Sequence, residues 1–127
     1  MSQTRLEHAN VTVSDIRKTT EFLKSIFGWK TRWEGDSIHG GRSAHVGGDD
    51  SYLAIYQHPA SEGQTNNSYK HIGGLNHLAV VVDDLDATEK RVIAAGFKPQ
   101  SHADYEPGRR FYFDDHDGIE YEVVQYD

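Results

Sequence analysis

The sequence predicts an α+β domain made of two βαβββ modules, and three observations carry the prediction. The first is an internal repeat at an offset of 69, which sets Leu6-Glu7-His8-Ala9-Asn10-Val11-Thr12-Val13-Ser14-Asp15 against Leu75-Asn76-His77-Leu78-Ala79-Val80-Val81-Val82-Asp83-Asp84. Leu, His, two Val and the final Asp are identical across it, and Gly28-Trp29-Lys30 returns as Gly96-Phe97-Lys98 after a one-residue gap. The second is a switch in hydrophobic period, from two to 3.6, inside each repeat. The third is length: 127 residues make one ordinary domain, 1–127, and leave no room for a second.

The elements follow in order. Ala9, Val11 and Val13 alternate with His8, Asn10 and Thr12 as a strand does, and Ile16, Leu23, Ile26 and Phe27 then recur at helical spacing. Ser14 is placed to cap that helix, and Gly28 ends it where a left-handed residue is wanted. Three strands are expected near 29–37, 41–48 and 51–57. Residues 59–73, rich in Ser, Asn, Gly and Gln, read as the linker and the least ordered segment, separating a first module over 4–58 from a second over 74–127. The second module repeats the plan. A strand through Leu78, Val80 and Val82 precedes a helix capped by Asp83, carrying Leu85, Val92 and Ala95 on one side and ended by Gly96. Strands near 97–103, 109–114 and 119–126 complete it.

Composition narrows the partners. Thirteen Lys and Arg against twenty Asp and Glu give a net charge of -7, which phosphates of nucleic acids and anionic membranes repel. The longest apolar run, Leu78 to Val82, is far short of the roughly 18 residues a membrane span needs, and residues 1–10 are too polar for a signal peptide. A cytoplasmic protein is expected. With no cysteine, disulfides and thiolate nucleophiles are excluded, so any metal must be held by His, Asp or Glu.

Strand parity then sorts the faces. With Ala9, Val11, Val13, Leu78, Val80, Val82, Tyr121 and Val123 under the helices, the opposite faces hold His8, Asn10 and Thr12, then His77, Ala79 and Val81, with Tyr52, Ala54 and Tyr56 on the fourth strand and Glu120, Glu122 and Val124 on the last. Histidines, carboxylates and tyrosines make a poor core and a good binding cavity. His8 and His77 are repeat equivalents, and a strand histidine on its own more often only caps a backbone group; the pairing favours ligation. Glu122 aligns with Ala54, which has no donor atom, so two His and one carboxylate form the expected set. Glu120 competes with Glu122 from the same face, but sits nearer the turn, where a solvated carboxylate belongs. Such a set suits Fe2+, Mn2+, Zn2+ or Ni2+ and leaves positions open for substrate or water. Tyr112 and Tyr56 are candidate hydrogen-bond donors to a substrate oxygen, and Trp29, Trp33 and Tyr105 candidate walls for an apolar ring, though packing explains such aromatics equally well. Asn10, Tyr52 and Ala54 complete the candidate substrate-binding surface.

Three stretches together, Glu7 to Asp15, Gly74 to Asp84 and Phe111 to Glu122, resemble the vicinal oxygen chelate superfamily, which includes glyoxalase I, fosfomycin-resistance thiol transferases, extradiol dioxygenases and bleomycin-binding proteins. The resemblance spans essentially the whole chain. It implies the glyoxalase/bleomycin resistance/dioxygenase fold with a concave sheet cavity, and a divalent metal on His8, His77 and Glu122. It further implies lyase, isomerase, thiol transferase or dioxygenase chemistry on a small molecule with vicinal oxygens, and a homodimer. Against the glyoxalase I pattern the fourth ligand is replaced by Ala54. Against the dioxygenase pattern His116 stands for a Pro, and no acid-base His faces inward among Tyr52, Ala54 and Tyr56. Fosfomycin-type enzymes place cations for a phosphonate, a role open to Arg109 or Arg110, which point to opposite faces; Arg110 is the candidate. The alternative is a non-catalytic antibiotic-binding protein of the bleomycin-resistance type.

Overall fold

The computed structural model describes residues 3–63 and 68–127. Of the expected linker, 64–67 lie outside the described residues, as do Met1 and Ser2. The chain divides into two compact units, Met1–Glu62 and Gly63–Asp127.

The first unit runs β1 (His8–Thr12), α1 (Ile16–Phe27), β2 (Lys30–Asp36), a single 3-10 turn (Ile38–Gly40), β3 (Arg42–Gly47) and β4 (Tyr52–Gln57). The second runs β5 (Leu78–Val81), α2 (Leu85–Ala94), β6 (Gln100–Tyr105), β7 (Gly108–Asp114) and β8 (Glu120–Tyr126). Each is one four-stranded mixed sheet, in the orders β1-β4-β3-β2 and β5-β8-β7-β6, whose opening strand lies parallel to its last. The expected α+β class and both βαβββ modules are present.

Parity is observed as the alternation requires. In the first unit α1 lays Ile16, Phe22, Leu23 and Ile26 on Ala44, Val46, Leu53 and Ile55, all less than a tenth exposed. Burying each of the large aliphatic side chains stabilises the fold by about 1.5–3 kcal/mol before entropy is counted. In the second, Leu85, Thr88 and Val92 of α2 cover Phe111, Phe113, Tyr121 and Val123. Ala95, expected on that buried face, is exposed beyond the end of α2.

Both helices start one residue later than expected. The sheet bonds run on past β1 and β5, from the amides of Val13 and Val82 to the carbonyls of Tyr56 and Val124. The caps are therefore Asp15, accepting from the amides of Arg17 and Lys18, and Asp84, accepting from that of Ala87, in place of Ser14 and Asp83. Gln57 and Gln125, matched by the repeat, each accept the first helical amide, from Ile16 at 3.0 Å and Leu85 at 2.8 Å. Gly28 ends α1 at φ 71, as its position predicts. In α2 the cap is Ala95 and Gly96 follows at φ 94; the amides of Gly96 and Phe97 bond back to Ile93 and Val92, so β6 begins only at Gln100.

Candidate functional site

The face of each sheet away from its helix carries the chemistry, and each module is described by itself. On the first, β1 pairs with β4 so that His8 is opposite Tyr52 and Asn10 opposite Ala54. Glu7, just before the strand, receives His8 Nδ1 at 2.9 Å and the Tyr52 hydroxyl at 3.1 Å on the same oxygen, Oε1. These bonds hold its carboxyl below the ordinary range, His8 contributing most, while desolvation and then the bond to Glu7 push the Tyr52 hydroxyl up. Ala54 is 3% exposed and opposes His45 of β3. The rings of His8, His45 and Tyr52 form a stacked triangle with centroids 4.5–6.4 Å apart; the Arg32 guanidinium lies over Tyr52, and Trp33 leans on His45. Burial, aided by the nearby His8 and Arg32 charges, lowers the His45 pKa. Tyr56 commits its hydroxyl proton to the Ile38 carbonyl at 2.7 Å, pinning the turn between β2 and β3. Asn10 is exposed on this face, while Trp29 packs on Phe27 of α1 instead.

On the second module, β8 brings Glu122 opposite Ala79 and Tyr112. The pairing of Asn10 with Ala54 and of Ala79 with Glu122 gives those two positions the same place in their modules. A buried turn aims the strand: Asp115 Oδ1 accepts the amides of Asp117 and Ile119, and burial nonetheless raises this carboxyl's pKa. Glu122 is 8% exposed. Its Oε1 lies 3.1 Å from His77 Nε2 and accepts the Tyr112 hydroxyl at 3.2 Å, and its Oε2 accepts from Arg110 Nη1 at 3.1 Å. Burial, then the charge of Glu122, raises the Tyr112 pKa. Arg110 also stacks over Tyr105, itself largely exposed, and its buried Nε and Nη2 find no acceptor among the described residues. Arg109 faces the other way, to Asp86 of α2.

Glu120 is not a freely solvated rim carboxylate. It accepts the Tyr69 hydroxyl and lies 3.7 Å from His77 Nδ1, to which the Tyr69 oxygen comes within 3.4 Å. This bond, with a smaller contribution from desolvation, pushes Tyr69 up to about 12. The two glutamates thus address opposite nitrogens of one imidazole.

Two ligands held side by side on a divalent ion at roughly 2.1 Å stand roughly 3 Å apart. The 3.1 Å between His77 Nε2 and Glu122 Oε1 matches that bite without movement. Within either module, among the described residues, no three His, Asp or Glu side chains gather around one ion. A cleft of about 760 Å³ on the helix side of the first sheet is lined by Arg17, Lys24, Glu34 and Arg42, away from the histidines, and Arg42 there is already paired with Glu34 and Asp36.

Strand parity missed His45, although alternation through Ser43, His45 and Gly47 signals it. Glu7 and Tyr69 were missed too; a glutamate beside a candidate ligand is a weak signal, and a linker tyrosine gives none.

Two mixed sheets, each covered by one helix and built on one plan, define a duplicated βαβββ protein with its polar side chains on the open sheet faces. The chain belongs to the Glyoxalase/Bleomycin resistance protein/Dioxygenase superfamily, whose model matches residues 5–123. Among solved structures it is similar to a glyoxylase/bleomycin resistance protein/dioxygenase domain from Frankia, at 22% identity and TM-score 0.83, covering 99% of this chain and 100% of that one. It is similar also to the fosfomycin resistance protein FosX from Mesorhizobium loti, at 25% identity and TM-score 0.74 over 97% and 92% of the two chains. TnmS3, an antibiotic binding protein from Streptomyces, shares the fold at 24% identity and TM-score 0.74 over 100% and 99%. No curated protein sequence matches the chain significantly.

Proposed function

We propose that the protein is a metal-dependent enzyme of the glyoxalase/dioxygenase type, acting on a small molecule that presents two adjacent oxygens. The observation that carries this reading is the convergence of His77 Nε2 and Glu122 Oε1 at 3.1 Å. His8, whose Nδ1 is taken by Glu7, is the third ligand in this reading. The ion is Fe2+, Mn2+, Zn2+ or Ni2+, the metals an imidazole and carboxylate set suits. Once bound, such an ion polarises substrate oxygens and lowers the pKa of bound water.

The chain's own residues orient the substrate. Tyr112, whose raised pKa keeps its proton in place, gives that proton to Glu122 Oε1 and must turn away from it to donate to a substrate oxygen. Arg110, held on Glu122 through Nη1, is the cation placed for an anionic group of the substrate, a feature shared in kind with recognition of a phosphonate. In this reading Asn10, Tyr52 and Ala54 of the first module and Tyr105 of the second are substrate-binding residues. Tyr56 has its proton engaged by Ile38 and serves as a wall. The protein is proposed to act as a cytoplasmic homodimer, without nucleic-acid or membrane partners; Trp33, 47% exposed, belongs to the surface a second copy covers.

The test is metal content after expression, followed by turnover of the loaded protein with catechols, hemithioacetals of α-ketoaldehydes, and epoxides bearing a phosphonate. One equivalent of metal per chain and turnover of one class is the expected result. Metal binding without turnover moves the protein to a non-catalytic role, and tight binding of an antibiotic by metal-free protein favours the sequestering alternative, to which the fold shared with TnmS3 lends support.

A further inference from the structure

The cleft on the helix side of the first sheet has a counterpart in the second module, and the two are lined differently. The counterpart, of about 310 Å³ between α2 and the β6–β7 hairpin, is crossed by two ion pairs: Asp86 of α2 lies 3.3 Å from Arg109, and Glu89 lies 3.1 Å from His102. At the repeat-equivalent places of Asp86 and Glu89 the first module has Arg17 and Thr20, and where α2 has Ile93, α1 has Lys24. Two helix carboxylates have thus given way to a cation and a neutral side chain, a second cation has been added, and the cleft measures about 760 Å³. Its charges are not equally free. Asp15 accepts the amides of Arg17 and Lys18, and Arg42 is paired with Glu34 and Asp36. Arg17, Lys24 and Glu21 remain, exposed and without an ion pair among the described residues. They lie on one stripe of α1 at positions i, i+7 and i+4, so the two cations start about 10.5 Å apart along the axis with the carboxylate between them.

We propose that this cleft is a second binding site, for a small molecule with an anionic group at each end, of the sugar bisphosphate type. Arg17 and Lys24 each take one phosphate, and Glu21 accepts from hydroxyls between them. On a chain of net charge -7, two uncommitted cations on one stripe are a local exception that a doubly anionic ligand neutralises. The volume lies within the roughly 300–1,000 Å³ of small-molecule sites, and Thr20 and Thr31 make the lining between the charges polar rather than aromatic. The site lies on the other side of the first sheet from His8, and it is independent of the metal reading.

The experiment follows backbone amide signals of nitrogen-labelled protein during titration with fructose 1,6-bisphosphate, fructose 6-phosphate and fructose. The bisphosphate is expected to give saturable shifts along α1 and β2 that weaken as salt is added, the monophosphate to bind about 5-fold more weakly, and fructose to leave the spectrum unmoved. Arg17→Gln and Lys24→Gln should each lower bisphosphate affinity about 5-fold, to the level of the monophosphate. Glu21→Gln keeps an oxygen for the hydroxyls and removes the opposing charge, so it should raise affinity. All three side chains are exposed, so the free variants should keep the wild-type spectrum. No saturable response to the bisphosphate, or equal affinity for the monophosphate, would overturn the proposal. So would affinity unchanged by both Arg17→Gln and Lys24→Gln, affinity lowered by Glu21→Gln, or shifts confined to the open faces around His8 and Glu122.

Discussion

Glu122 receives Tyr112 and faces His77 on one oxygen and receives Arg110 on the other. With Oε2 held by the guanidinium, Oε1 is the oxygen the proposed ion would take. Glu122→Gln and His77→Ala should each lower divalent-metal affinity by about 100-fold in a chelator competition, and Gln should also loosen Arg110; an unchanged affinity in either would remove that residue from the ligand set. Asp115 is set apart by burial, which raises its pKa in spite of two amide bonds. A carboxyl whose folded pKa is raised contributes stability that is fully present below its unfolded pKa of about 3.9 and is lost as pH rises through the folded value. Asp115→Asn keeps an oxygen for the amides of Asp117 and Ile119 and discards the buried charge. The stability of the variant relative to wild type should therefore climb as pH rises from about 3.9 through the raised pKa and level off beyond it. Urea unfolding across that range checks it, and a difference that does not vary with pH would contradict it.

At the scale of elements, the caps give a sharp comparison. Asp15 bonds the amides of Arg17 and Lys18 at 2.9 and 3.4 Å, so Asp15→Ala should cost about 1 kcal/mol while Ser14→Ala stays within about half of that. Equal losses would restore Ser14 as the cap. A Cβ at Gly108, the first residue of β7, would lie 2.1 Å from the Gln125 carbonyl oxygen, so Gly108→Ala must push β7 away from β8 and with it the pairing of Tyr112 with Glu122. The elements were legible because alternation and helical spacing are properties of the chain itself. The helix starts were misplaced by one residue because where a strand stops depends on a carbonyl across the sheet, Tyr56 or Val124, that no local pattern reveals. The site divides along the same line. Glu122, Tyr112 and Arg110 share a face because strand pairing sets them side by side on β7 and β8, and His77 meets them from just before β5. Tyr69 arrives from a loop, and the opposite demands of His77 on Glu120 and Glu122 appear only once the imidazole has a direction.

At the scale of the whole molecule, the proposed ligands are shared unequally, one in the first module and two in the second, and this makes metal binding a probe of how the modules cooperate. An ion that binds only the folded chain stabilises it by RT ln(1 + [M]/Kd), about 2.7 kcal/mol when free metal is 100 times Kd. Wild-type protein should therefore melt at a higher temperature with Zn2+ than with a chelator. His8→Ala and His77→Ala alter different modules, yet each should abolish most of that increment if one ion takes both rings. The double variant should lose little more than either single one, because residues acting on one ion are not additive. Melting each of the four proteins with and without metal decides the matter. Retention of the full increment by His8→Ala, with its loss in His77→Ala, would confine the ion to the second module and leave the stacked rings of His8, His45 and Tyr52 as a surface for substrate alone.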